Sequence, residues 1–264
     1  MKLFQRLLPI IIALVINLKN VTGHLANTTI KDVEKENDFR IVGGRPAIIG
    51  EFPYQVSING YRTFIGAGSL ISDRHVLTTA SMINRNPASQ LTVRAGSLMR
   101  THGGQEVWVE KICKDPRYNP SNYDYDVAVL LLSSSFTLGH DVQYINLAQP
   151  GSRPAVGSVC HVTGWGMLSQ DGYWADQLHV VEVPIVSEAD CKAVYGQNAI
   201  TDRMQCAGST QGGKGACYGD AGGPLVCGSV QVGIEGWGSM CARPGYTGVY
   251  TNVGSVMGHI SNCA

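Results

Sequence analysis

Four short segments of this 264-residue chain contain the residues whose types could do chemistry. Arg40–Gly44 places a basic cleavage point before a β-branched residue, and Ser69–Ile71 leads to Val76–Met82, which includes Ser81. Asp126 precedes an apolar run, and the last segment is Gly219-Asp220-Ala221-Gly222-Gly223. Carboxylates and hydroxyls are common parts of hydrolytic sites. We therefore ask which fold brings these segments together.

Short runs of β-branched and aromatic residues, broken by Gly, Asn and Pro, predict about ten strands and an all-β sandwich or barrel. The predicted strands are Tyr54–Ile58, Gly68–Thr78, Leu91–Ala95, Val107–Ile112, Val127–Leu132, Val159–Thr163, His179–Val183, Leu225–Val226, Val230–Trp237 and Val249–Val253. Only the tail indicates a helix, because Val253, Val256 and Ile260 fall at helical spacing.

The four segments, in this order and together with Gly164-Trp165-Gly166 and Gly236-Trp237-Gly238, resemble the chymotrypsin-like serine proteases from Ile41 to Ala264. The resemblance implies two six-stranded antiparallel barrels with a cleft between them and a C-terminal α-helix. It assigns residues 41–264 to a protease domain, and the N-terminal composition predicts a signal peptide (1–23) and a pro-segment (24–40) before it.

Two of the three catalytic positions depart from the family. The resemblance places the general base at Ser81 and the nucleophile at Ala221, and only Asp126 keeps the expected type. Serine attack needs an imidazole to take its proton, and a methyl group cannot attack at all. We therefore predict that the chain is not an enzyme but a pseudoprotease with no catalytic residue and a degenerate triad.

No other histidine is expected to replace the missing base. The resemblance places the remaining candidates away from the cleft, where surface or core roles are expected: His75, His102, His140, His161, His179 and His259.

The resemblance also assigns the binding and activation residues. It implies cleavage after Arg40, an ion pair between the new Ile41 amine and Asp220, and a vestigial oxyanion hole at Gly219 and Ala221. A vestigial specificity pocket involves Gly215, Tyr218, Gly238 and Gly248. Since Gly215 stands where a trypsin-like enzyme carries Asp, the pocket floor lacks a partner for Arg or Lys, and Tyr218 either lies across the mouth or faces solvent.

All eight cysteines lie in the region of resemblance, which implies the pairs Cys160–Cys227, Cys191–Cys206 and Cys217–Cys241 and so leaves Cys113 to pair with Cys263 by elimination. A further family disulfide is missing, since Gly66 and Met82 occupy its two positions. The cysteines do not have the spacing of metal ligands. Glu106 and Glu110 do not form the tight carboxylate cluster that a calcium loop needs, so we expect neither a metal nor another cofactor.

The N-terminal residues predict secretion. The apolar run Leu7–Leu18 follows Lys2 and Arg6 and is too short to span a membrane, as in a signal peptide. Cleavage after Gly23 or Ala26 is left open. The polar stretch His24–Arg40 has the character of a removable pro-segment, so the protein is expected outside the cell.

Charge excludes nucleic acid as a partner, because 20 basic residues balance 20 acidic ones, and from Ile41 onward the net charge is about −2. Among inactive relatives, the chain most resembles the scabies mite inactivated serine protease paralogues, similar to the mite trypsin-like allergens. That resemblance implies a monomer that is secreted into the gut lumen, binds host proteins of the complement system and inhibits complement. The alternatives are an azurocidin-like heparin-binding protein, which needs a basic surface, and a prophenoloxidase cofactor, which usually carries a clip domain.

Overall fold

The computed structural model describes residues 42–264. The predicted signal peptide and pro-segment, together with Arg40 and Ile41, lie outside the described residues. The strands, in chain order, are β1 (Arg45–Pro46), β2 (Gln55–Gly60), β3 (Thr63–Leu70), β4 (His75–Thr78), β5 (Leu91–Ala95), β6 (Gln105–Lys114), β7 (Ala128–Leu132), β8 (Asn146–Leu147), β9 (Val159–Gly164), β10 (His179–Val186), β11 (Met204–Ala207), β12 (Pro224–Cys227), β13 (Val230–Trp237) and β14 (Gly248–Asn252).

The first six-stranded unit is a closed antiparallel barrel in the order β2-β3-β4-β7-β6-β5. Its interior contains the fully buried side chains of Val56, Ile58, Leu70 and Leu130. Closure pairs β5 with β2, which leaves neither strand as a free edge.

The second unit closes through β9-β10-β11-β14-β13-β12, since β9 pairs with both β10 and β12. The short strands β1 and β8 attach to β10 and β13 at the outside. Leu225, Ile234 and Tyr250 lie in its core and are fully buried. The predicted fold, two six-stranded antiparallel barrels with a C-terminal helix, is confirmed.

Within residues 42–264, three α-helices accompany the barrels: α1 (Ala80–Ile83), α2 (Glu188–Tyr195) and α3 (Val253–Cys263). Asn252 caps α3 by accepting a hydrogen bond from the Ser255 N–H at 2.8 Å. The predicted apolar stripe of Val253, Val256 and Ile260 is buried against the second barrel. No helix among residues 42–264 is long and apolar enough to cross a membrane.

One strand prediction was wrong in its continuity: Gly68–Thr78 divides into the end of β3 and all of β4. The Ser72 hydroxyl accepts hydrogen bonds from the backbone of Arg74 and His75, and the Ile71 N–H donates to the His75 carbonyl at 2.9 Å. This local network makes a tight turn inside what looks like one apolar run. The short strands β1, β8 and β11 and the helices α1 and α2 were also missed.

Four disulfides crosslink the described chain, and none of its cysteines is free. They join the same pairs that the resemblance implies: Cys113–Cys263, Cys160–Cys227, Cys191–Cys206 and Cys217–Cys241. The first connects β6 of the first barrel to the end of α3, whereas the other three lie within the second half of the chain.

Candidate active-site cleft

Ser81 and Asp126 form a direct pair at the edge of the first barrel. Ser81 lies in α1, just after β4, and Asp126 lies just before β7. The Ser81 N–H and hydroxyl donate to the two oxygens of the Asp126 carboxylate at 2.7 and 2.6 Å. Burial raises the pKa of Asp126 to about 6, while the hydrogen bonds from Ser81 oppose this rise. Ser81 therefore stabilises a carboxylate that is only 1% exposed.

Ala221 belongs to a loop that is attached to both barrels. Its carbonyl accepts a hydrogen bond from the Ala67 N–H of β3 at 2.9 Å, and the next residue, Gly222, donates to the Glu235 carbonyl of β13 at 2.8 Å. Gly222 has a φ of +83°, and a Cβ there would lie 2.2 Å from the Thr78 hydroxyl. Only glycine fits this crossing point between the barrels.

Two backbone donors of this loop have no acceptor. Among residues 42–264, neither the Gly219 N–H nor the Ala221 N–H makes a hydrogen bond within the protein. Gly219 has a φ of +97°, and the Trp174 ring covers it so closely that a Cβ would lie 2.1 Å from Cζ3. The loop thus presents two free donors suited to a carbonyl oxygen, at the residues assigned to the oxyanion hole.

Asp220 is fully buried between these donors and accepts hydrogen bonds from the Gly166 and Cys217 N–H groups at 2.8 and 3.0 Å. Burial raises the pKa of this carboxyl to about 6. Its predicted partner, Ile41, lies outside the described residues, so the ion pair stays a prediction. The neighbouring Val42 carbonyl accepts a hydrogen bond from the Gly215 N–H at 3.3 Å.

A cavity of about 230 Å³ opens beside this loop. It brings together all the residues assigned to the specificity pocket, and Ala221 lies on its wall. The assigned residues lining it are Gly215, Tyr218, Gly238 and Gly248. Tyr218 is 51% exposed. The glycines leave the interior open, and Trp237 supplies an apolar wall.

Glu235 also lines this cavity, and the sequence reasoning missed it. Burial raises the pKa of its carboxyl to about 8. The signal that could have revealed it is a single acidic residue in the otherwise uncharged strand Val230–Trp237. Inside the second barrel, its carboxyl has a side-chain hydrogen bond with the hydroxyl of the fully buried Tyr250.

The two positions that the resemblance assigns to a missing disulfide, Gly66 and Met82, lie next to each other. A Cβ added to Gly66 would lie 2.0 Å from the Met82 sulfur and 2.8 Å from the Ala221 carbonyl oxygen. The methionine side chain therefore occupies the space that a side chain at residue 66 would need. The Met82 side chain and the lack of a side chain at Gly66 are therefore complementary in shape.

The histidines of residues 42–264 have their polar contacts with residues other than Ser81 and Asp126. His75 contacts the Ser72 hydroxyl at 2.9 Å, His140 pairs with Asp141 at 2.5 Å, and His161 lies 3.4 Å from Glu182. The remaining ones contact the polar groups of other loops: His102 near the Thr101 hydroxyl, His179 at the Gln177 carbonyl and His259 at the Cys113 carbonyl.

Candidate metal ligands are already engaged. In the described part of the chain, one cluster has suitable spacing, Cys113, His259 and Cys263, but its two sulfurs form a disulfide. Glu106 and Glu110, the residues considered for calcium, instead pair with arginines: Arg94 at 2.6 Å and Arg74 at 2.5 Å. This donor set therefore does not suggest a resident cation.

The two barrels and the loop joining them define a chymotrypsin-like protein. The family model described as Trypsin matches residues 41–260, and the chain belongs to that family. Trypsin 5G1 of Aedes aegypti is 40% identical over 82% of this chain and 82% of its own length. Trypsin Blo t 3 of Blomia tropicalis is 40% identical over 83% of this chain and 84% of its own.

A solved structure supports the same assignment. Neuropsin, a serine protease expressed in the limbic system of mouse brain, is 34% identical and superposes with a TM-score of 0.76. The match covers 83% of this chain and 97% of that one.

These relatives contradict the prediction that the chain is not an enzyme. They are named trypsins or a serine protease, they match most of the chain at substantial identity, and they share its fold. The family is thus a family of enzymes, and nothing in the comparisons indicates inactivity. The structure places Ser81 beside Asp126 and Ala221 between the two barrels, and the degenerate-triad assignment of these positions stays a prediction.

Proposed function

We propose that this member of the trypsin family is a secreted, monomeric protein that binds host proteins through its cleft. Complement components are the proposed partners, and inhibition of complement is the proposed effect. The observation that carries the proposal is an open cavity of about 230 Å³ beside two unpaired backbone donors, Gly219 and Ala221.

This arrangement suits an extended peptide segment. A peptide carbonyl can accept hydrogen bonds from the free N–H groups, while the following or preceding side chain enters the glycine-lined cavity. Trp237 adds an apolar wall, and its ring contacts the Tyr195 ring edge to face, with centroids 5.0 Å apart. Rigid aromatic walls bind with little loss of conformational freedom.

The choice of partner rests on resemblance. Trypsin Blo t 3 is a relative over most of the chain. The scabies mite paralogue group, to which we propose that the chain belongs, implies secretion into the gut lumen and contact with host complement. The charge of the protease domain, about −2, disfavours the heparin-binding alternative because such binding relies on a basic surface.

A haemolysis assay with human serum tests this proposal. Gly238 lines the cavity, and a Cβ there would lie 3.7 Å from its nearest neighbours, so Gly238→Phe can fill the cavity with an ordinary backbone. Gly258 is exposed on α3 with open space around it, which makes Gly258→Phe a matched control.

We expect the unchanged protein and Gly258→Phe to inhibit lysis and to retain a complement component in a pull-down, and Gly238→Phe to do neither. Equal inhibition by Gly238→Phe would show that another surface binds the partner. No inhibition by the unchanged protein at micromolar concentration would refute the complement proposal.

A further inference from the structure

A second, larger groove lies on the outer face of the first barrel. Its volume is about 670 Å³, and it shares no lining residue with the cavity of the cleft. Its floor is the outer face of β2, β5 and β6, where Asn59, Thr92 and Trp108 stand side by side in the sheet register. Tyr61 and Arg62, at the turn between β2 and β3, also line it. The groove is therefore a separate candidate binding site.

The turn at Tyr61 and Arg62 has an unusual backbone for its residues. It connects Gly60 to Thr63, and its two central residues have φ values of +51° and +65°. Two-residue hairpin turns with positive φ at both positions usually have the sequence Asn-Gly, because other side chains cost free energy there. Neither side chain makes a hydrogen bond, an ion pair or a ring contact within the described part of the chain. Strained residues of this kind cluster at binding sites, so the two side chains indicate a contact outside the chain.

Two aromatic rings of the groove are exposed to solvent. Tyr61 is 68% exposed and Trp108 is 52% exposed, although aromatic side chains gain much free energy from burial. Neither ring stacks on another ring of residues 42–264. The groove thus offers two flat apolar surfaces that a ligand can cover.

The polar lining of the groove has little net charge. Arg94 donates to one oxygen of the Glu106 carboxylate at 2.6 Å, and the Thr92 hydroxyl donates to the other at 2.7 Å. Of the charged residues lining the groove, this leaves only Arg62 without an ion pair in the described chain. The Gln90 Oε1 acceptor and the Arg94 Nε donor are shielded from solvent and have no partner there. The lining therefore has unused hydrogen-bonding capacity of both kinds.

We propose that this groove binds a neutral carbohydrate, an oligosaccharide of hexose or N-acetylhexosamine units. The C–H face of a pyranose ring packs against an aromatic ring, which Tyr61 and Trp108 provide. Its hydroxyls both donate and accept hydrogen bonds, which suits a lining of amide, hydroxyl, guanidinium and carboxylate groups. The inference does not rest on the proposed function, because it concerns a different surface and no residue of the cleft.

The same lining disfavours two other classes of ligand. An extended peptide that adds a strand needs a free sheet edge, whereas β2, β5 and β6 are each paired on both sides within the closed barrel. An anionic ligand needs an excess of cations, whereas the Glu106 carboxylate lies among the lining groups and Arg62 is the single unpaired cation of that lining in the described chain.

An array of immobilised oligosaccharides tests the proposal with the full protein, labelled with a fluorophore. The array displays neutral chains ending in glucose, mannose, galactose or N-acetylglucosamine, beside sulfated and sialylated chains. Calorimetric titration with the neutral chain that binds most strongly then compares the unchanged protein with its variants.

Two variants alter the groove. Trp108→Ala removes one ring, and it keeps the backbone carbonyl that accepts the Ser133 N–H at 2.9 Å. The double variant Tyr61→Asn with Arg62→Gly introduces the turn sequence that this backbone favours. The matched control is Tyr144→Ala, which removes an aromatic ring that is 54% exposed and does not line the groove.

We expect the unchanged protein to bind neutral chains and Tyr144→Ala to keep the same affinity. Trp108→Ala should bind at least about tenfold more weakly, as is typical when a central tryptophan is removed. The double variant should bind several-fold more weakly and yet unfold at a higher urea concentration, because its turn is no longer strained. A purely structural role of the turn does not predict this combination.

Three results would overturn the proposal. These are no binding to any neutral chain, binding confined to the sulfated and sialylated chains, and unchanged affinity in both groove variants. None of these measurements involves complement, so the failure of either proposal leaves the other standing.

Discussion

Replacing Glu235 by Gln should change how the stability of the protein depends on pH. The carboxyl has a pKa of about 8 in the folded protein, raised by burial, against a reference value of 4.5. Unfolding exposes it to water, where it ionises at a lower pH. Its contribution to folding is therefore fully present below pH 4.5 and is lost as the pH rises toward about 8.

The size of this loss follows from the two pKa values. The gap between 4.5 and about 8 corresponds to roughly 5 kcal/mol of stability, as an upper estimate for a fully buried group. Asp126 and Asp220, whose pKa values are raised to about 6, titrate lower in the same direction. Above pH 6.5 the Glu235 contribution can therefore be separated, and about 2 kcal/mol of it should be lost by pH 8.

Urea unfolding followed by tryptophan fluorescence at pH 5, 6.5 and 8 measures the effect, with disulfides intact. The free energy of unfolding of Glu235→Gln minus that of the unchanged protein should increase by about 2 kcal/mol between pH 6.5 and 8. Titrating groups that do not interact with Glu235 contribute equally to both proteins and cancel in this difference. Parallel stability curves would refute the assignment of a protonated, buried Glu235.

Other substitutions test the cleft separately. Ser81→Ala should lower the free energy of unfolding by about 2 kcal/mol at pH 8, where Asp126 is charged, and by less at pH 5, where Asp126 is protonated. An equal loss of stability at both pH values would contradict the pairing of Ser81 with Asp126. Gly219→Ala should lower the free energy of unfolding by about 1–3 kcal/mol, because Gly219 has a φ of +97° and the Trp174 indole leaves no room for a Cβ. An unchanged midpoint of urea unfolding would contradict this prediction. Gly66→Cys combined with Met82→Cys should form a disulfide worth roughly 3 kcal/mol, detected by thiol titration before and after reduction; two persistent free thiols would show that the residues are not adjacent.

The strand pattern predicted an all-β sandwich or barrel, because the strands repeat buried β-branched residues between turn formers, and the family resemblance supplied the two six-stranded barrels. It did less well where local hydrogen bonds outweigh that pattern, as at the Ser72 turn between β3 and β4. The short strand β8 has only two residues and depends on its contact with β13, a tertiary interaction that no local pattern reveals.

The candidate site was predicted unevenly for a similar reason. Motifs of neighbouring residues, such as Gly219–Gly223, identified the loop between the barrels. Glu235 lies in a strand chosen for its apolar character, and its significance depends on which cavity that strand borders. Whether a single acid in a strand faces water or an enclosed space is set by packing, so the pattern alone could not assign it.

The substitutions around the cleft make physical sense as compensated changes. An isolated buried carboxylate at Asp126 would be costly, and Ser81, although shorter than an imidazole, supplies two hydrogen bonds to its oxygens. Similarly, Met82 fills the space beside Gly66, so no void remains where a crosslink is absent. Glu235 differs from Asp126, because burial raises the pKa of its carboxyl to about 8 even though the hydrogen bond from the Tyr250 hydroxyl opposes this rise. The carboxyl is then mostly protonated at neutral pH, and a neutral acid tolerates burial where a carboxylate needs several donors.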